Sequence, residues 1–150
     1  MMTILERLNF DLKEAMKSKD SFKLGVIRLA KGAIQLEAIN KKKDLSDDEV
    51  ITIISKQIKM RKDSITEFEK AGRTDLVDQY NDEVKILNEY MPEQFSVEEI
   101  NKIIDEAFVK INPTSPKEMG LLMKEITPKL RGKADMGYVN GEIKNRLNNL

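Results

Sequence analysis

The sequence predicts an all-α fold, with a four-helix bundle-like domain over residues 1–92 followed by a three-helix module over residues 93–150. Three observations carry that prediction. Apolar residues recur at steps of three and four, and no alternating strand pattern survives anywhere in the chain. Ser-x-x-Glu boxes at Ser46, Ser96 and Ser115 mark helix starts. Pro92 follows the last apolar stripe of the first half and marks a hinge near Tyr90-Met91-Pro92.

From Thr3 to Lys19, the residues Ile4, Leu5, Leu8, Leu12, Ala15 and Met16 fall at helical spacing, and Asp20-Ser21 interrupts them. A second helix is expected from about Phe22 to Asn40, with Leu24, Ile27, Ala30, Ile34 and Ala38 on one side. Gly25 and Gly32 lie inside it. Each weakens a helix by about 1 kcal/mol relative to Ala, so close helix–helix approach is the expected reason for them. Lys41-Lys42-Lys43 then places cations at the helix C-terminus, as its dipole favours.

Ser46 with Glu49 opens a long third helix through Ile51, Ile54, Ile58, Ile65 and Phe68, which Gly72 ends. A fourth runs from about Asp75 to Tyr90 on Leu76, Tyr80, Val84 and Leu87. Ser96 with Glu99 opens the fifth, ahead of Val97, Ile100, Ile103, Ile104, Ala107 and Ile111. Ser115-Pro116-Lys117-Glu118 combines a cap, a proline at the first helical position and a glutamate at the third. The helix it opens is expected to reach Leu130, with Pro128 as a candidate kink, and to end at Gly132. Asp135 caps a last helix through Tyr138, Val139, Ile143 and Leu147.

Composition narrows the chemistry. The 150 residues are 40% hydrophobic and 35% charged, with 26 Lys and Arg against 26 Asp and Glu. That suits a packed domain and suits neither a membrane span nor a disordered chain. Cysteine, histidine and tryptophan are absent. Zinc on Cys or His, disulfides, a thiol nucleophile and imidazole-based triads are therefore excluded. No catalytic residue set, cofactor motif or metal site is expected. Asp44, Asp47, Asp48 and Glu49 lack the loop and the glycine of a calcium motif, and a helix start accounts for them. The segment Met1–Arg7 carries charge and no apolar core of a signal peptide, so a cytoplasmic location with no membrane role is expected.

Two segments hold cations worth locating. Lys56–Lys62 has four positive charges in seven residues, which suit phosphate, yet Arg61 falls on the apolar stripe. Arg61 precedes Gly72 by eleven residues and Glu83 follows it by eleven, so an antiparallel hairpin brings both to one level. An Arg61–Glu83 ion pair at the core edge is expected, joined by Arg28. The second segment runs from Lys117 to Leu150, where seven cations face four anions. Gly132 and Gly137 bracket a turn there at which backbone can approach a phosphate.

The residues Met119-Gly120, Met123, Pro128 to Asp135 and Val139-Asn140 resemble the signature of the GatB/YqeY domain, the tail of the tRNA-dependent amidotransferase B subunit. Asp47-Asp48-Glu49-Val50, Lys59 to Ser64, Ala71-Gly72-Arg73 and Glu83 through Pro92 are similar to the stand-alone YqeY family, so the resemblance covers essentially the whole chain. It implies a non-catalytic module that binds tRNA or attends an aminoacyl-tRNA amidation complex, a carbon–nitrogen ligase system with glutamine as amido-N-donor. Ligase activity by the chain alone is not expected, because it lacks His, Cys and a Ser-Ser-Lys constellation. Carried over, the nucleic-acid-binding candidates are Lys124, Lys129, Arg131, Gly132, Lys133 and Lys144. One departure is visible: the family has Gly directly after Ala-Asp, whereas Met136 stands there and Gly137 follows. The alternative is a protein–protein adaptor that uses a methionine groove around Met119, Met123 and Met136.

Overall fold

The structure, a computed structural model, describes residues 2–150; Met1, with which the first predicted domain and the leader reading begin, lies outside them. The described chain is all-helical. Helices α1 (Ile4–Ser18), α2 (Ser21–Lys41), α3 (Asp47–Lys70) and α4 (Thr74–Asn88) belong to a compact unit that ends at Met91. Helices α5 (Val97–Ile111), α6 (Met119–Leu130) and α7 (Met136–Asn148) belong to a second, Pro92–Leu150.

Local chemistry sets most helix ends. The Thr3, Asp20, Ser46 and Ser96 side chains each accept a backbone N–H three residues on. At Ser46 and Ser96 the reciprocal glutamate bond completes a capping box. Glu49 does more than cap. Its carboxylate also takes Lys41 at 2.8 Å and Lys43 at 3.2 Å, joining the end of α2 to the start of α3. The Lys41 hydrogen bond, then those from the Ser46 backbone and Lys43, hold it down at about 2. A carboxylate depressed this way stabilises the fold fully above about pH 4.5 and stops doing so as pH falls through about 2. Lys41→Ala is expected to raise the Glu49 midpoint, measured by carboxyl NMR titration; an unmoved midpoint would show that the cap alone sets it.

Ser115 opens a different element from the one its box suggests. Pro116–Glu118 is a 3₁₀ turn, and the α-helix starts only at Met119. The Glu118 carboxylate accepts the N–H groups of Thr114 and Ser115, which tightens the first turn before α-geometry takes over. Helix α6 then continues through Pro128 to Leu130.

Each unit has its own core. In the first, Leu8, Val26, Ile27, Ile34, Val50, Ile54 and Leu87 are buried together, and α3 pairs with α4 as an antiparallel hairpin about Gly72 (φ +70°). Tyr90 closes this core: its hydroxyl donates to Asp11, and the Arg7 guanidinium lies 5.1 Å from its ring centroid. Burial and the facing carboxylate push that hydroxyl well above its ordinary range. In the second unit Ile100, Ile104, Leu122, Ile126, Leu130, Val139, Ile143 and Leu147 form the core. Met119, Met123 and Met136, around which the methionine groove is expected, are half-buried against this core.

The glycines of α2 correct a second expectation. A Cβ at Gly25 or at Gly32 meets no atom within 4 Å, and both face away from the buried Val26, Ile27, Ala30 and Ile34. No other helix of the first unit touches them. With only helix propensity at stake, Gly25→Ala and Gly32→Ala are each expected to raise stability by about 0.5–1 kcal/mol in dilute urea titrations. A loss of stability would show that something packs on them.

Candidate nucleic-acid interface

The structure places the six candidate residues on two helices of the second unit and the loop between them. Lys124 is exposed on α6 and Lys144 on α7. Lys129, in the last turn of α6, gives its ammonium to Glu125 at 3.2 Å, and Lys110 of α5 reaches the same carboxylate at 3.0 Å. Those two lysines lower the Glu125 pKa. Arg131 ends α6, its N–H bonded to the Thr127 carbonyl and its side chain exposed.

Gly132 and Lys133 form a built loop. Gly132 sits at φ +74°, a region that glycine enters without the cost borne by residues with a Cβ. Its carbonyl accepts Gln94 Nε2 at 2.7 Å, while the Lys133 carbonyl accepts the Phe95 N–H at 2.9 Å. The Lys133 ammonium lies 5.6 Å from the Phe95 ring centroid. Gln94 and Phe95 thus fix the loop from the segment before α5. Nothing in their local sequence signals this, because the partners lie 38 residues apart.

The departure at Met136 is absorbed by the helix. Met136 is the first residue of α7, partly buried, and Asp135 Oδ1 accepts the Gly137 N–H at 2.9 Å. Position 136 therefore needs no left-handed backbone. At Gly137 a Cβ would lie 3.2 Å from that same Asp135 oxygen, so the glycine leaves the cap room.

Charge around the loop is unbalanced by the hydrogen-bond pattern itself. From residue 117 onwards the four anions are all engaged: Glu118 on backbone N–H groups, Glu125 on two lysines, Asp135 as a cap, and Glu142 on Arg146 at 3.1 Å. Among the described residues Lys124, Arg131, Lys133 and Lys144 have no carboxylate within ion-pair distance, unlike Arg146, which holds both Glu142 and Asp105. Exposed Gly120 lies one turn before Lys124, and exposed Gly141 one turn before Lys144. Each helix thereby shows bare backbone beside a cation, a signal available in the i, i+3 and i, i+4 spacing.

The other charged candidates lie in the first unit. Arg61 Nε donates to Glu83 Oε1 at 3.0 Å, both residues being 8% exposed. Arg61 Nη1 also bonds the Gln57 carbonyl and Gln57 Oε1, and Gln79 Nε2 donates to Glu83 Oε2 at 3.3 Å. Arg28 takes no part. It is exposed on α2, off the stripe of Val26, Ile27, Ala30 and Ile34 that faces the core, so the expected three-residue cluster is a pair. No group of three or more acidic residues among the described ones is arranged to hold a metal ion. No described helix is long and apolar enough to cross a membrane.

A family model described as Yqey-like protein matches residues 5–147. Among similar proteins, "Altered inheritance of mitochondria protein 41, mitochondrial" of Pyrenophora tritici-repentis is 34% identical over 147 residues, covering 93% of this chain and 78% of its own. The protein of that name from Kluyveromyces lactis is 33% identical over 140 residues, covering 91% and 72%. These relatives are named as mitochondrial proteins, which overturns the cytoplasmic expectation. That expectation rested on a missing apolar leader core, and such an absence carries no information about compartment.

Proposed function

We propose, from the premise that the chain belongs to the Yqey-like protein family, that its three-helix unit is a non-catalytic RNA-binding module for tRNA or a tRNA-amidation complex. The observation that carries this reading is the committed state of the carboxylates on α6, α7 and their connecting loop. With each anion held by the fold, Lys124, Arg131, Lys133 and Lys144 remain available to phosphate. Gly120 and Gly141 let a ligand backbone come close beside two of those cations. The reading assigns the chain no chemical step.

A titration of the full chain against total tRNA at rising salt tests it. Binding is expected to weaken with salt, because cations that neutralise phosphates release counterions. Lys129→Ala, Arg131→Ala and Lys133→Ala combined are expected to lower affinity at least about tenfold and to reduce the salt slope by about two. Arg131→Ala should contribute more than Lys129→Ala, since Lys129 must leave Glu125 to reach RNA. Equal binding by the folded triple variant, or no binding by the parent chain, overturns the proposal.

A further inference from the structure

Helix α2 is apolar on two sides, and the fold uses one. Opposite the core face, Phe22, Leu29, Leu36 and Ile39 stand 42%, 61%, 60% and 71% exposed. With Gly25 and Gly32 they form the series 22, 25, 29, 32, 36, 39, which alternates steps of three and four as the seam of a helix pair does. Isolated exposed apolar residues are ordinary, whereas a row of them along one helix face is the kind of surface a partner covers.

The seam is its own complement. Reversed about its midpoint between residues 30 and 31, it maps Phe22 onto Ile39, Gly25 onto Leu36 and Leu29 onto Gly32. Two α2 helices packed antiparallel about a twofold axis therefore set each leucine against a glycine of the other copy. A parallel pair would instead set leucine on leucine and leave gaps at both glycines. In the antiparallel register Arg28 is level with residue 33 of the second copy and two residues from the uncharged Gln35. We propose that this face of α2 joins two copies of the chain in an isologous antiparallel dimer. The two glycines that no other helix of the first unit touches then have an occupant.

The seam runs about 27 Å along one helix and supplies six residues, where a standard stable interface uses roughly 20–30 a side. That places the dimer in the weak, concentration-dependent class. Sedimentation equilibrium of the full chain from about 5 to about 500 µM is expected to show the mass rising from 17.2 kDa towards twice that value. Leu29→Gln with Leu36→Gln is expected to raise the dissociation constant at least about tenfold, with unchanged circular dichroism, since both side chains are exposed. The register has its own readout because the chain has no cysteine. Tagged Phe22→Cys mixed with untagged Ile39→Cys is expected to give mixed disulfide dimers, with little Phe22→Cys homodimer. A chain that stays monomeric throughout, association untouched by the double variant, or homodimers in place of mixed ones overturns the proposal.

Discussion

Glu83→Ala is expected to destabilise the protein by about 3–5 kcal/mol, the largest effect of any single substitution outside the apolar cores. The reason is what it leaves behind. Arg61 is as buried as its partner, and without Glu83 its guanidinium keeps only the Gln57 carbonyl and amide oxygen. Neither carries the compensating charge. Replacing both partners together, as Arg61→Met with Glu83→Leu, removes the charge and the partner at once. That double variant is expected to lie within about 1 kcal/mol of the parent or above it. Urea titrations of the two variants and the parent make the comparison. A Glu83→Ala loss below about 1 kcal/mol would mean that Arg61 swings out to solvent and that the pair is not a buried one.

Gly132→Ala is expected to cost about 1–2 kcal/mol, since φ +74° forces the new Cβ into the left-handed region. The substitution bears on more than one residue. The Gly132 carbonyl holds Gln94, and the next carbonyl holds the Phe95 backbone, so a shifted turn loosens the entry to α5 as well. Thermal unfolding of the variant should therefore show a lower midpoint. Hydrogen exchange should show faster exchange at the Phe95 amide. An unchanged midpoint with full protection at Phe95 would show that the loop tolerates a side chain without moving.

The helices were legible in the sequence because their ends are local chemistry. Ser46, Ser96 and Asp135 accept backbone N–H groups within three residues, and spacing alone shows them. The level at which Arg61 meets Glu83 follows from equal rise along two helices joined at Gly72, whose φ of +70° makes the turn. Facing was harder. Arg28 and the glycines of α2 share a helix with a clear core stripe, and their side of it is settled only by what the neighbouring helices cover. The 3₁₀ turn at Pro116 carries the same signature as an α-helical start, so the box at Ser115 does not distinguish them. The clamp from Gln94 and Phe95 onto residues 132 and 133 is long-range, and no periodicity encodes it.

RNA contact is proposed for the exposed cations of α6, α7 and their connecting loop. Amide NMR spectra of the full chain, recorded as tRNA is added, test it residue by residue. Intensity loss and shifts are expected first at Lys124, Arg131, Lys133 and Lys144 and at the adjoining Gly120 and Gly141, reversed by added salt. Perturbations confined to residues 2–91, or none at concentrations where the salt titration detects binding, would contradict it.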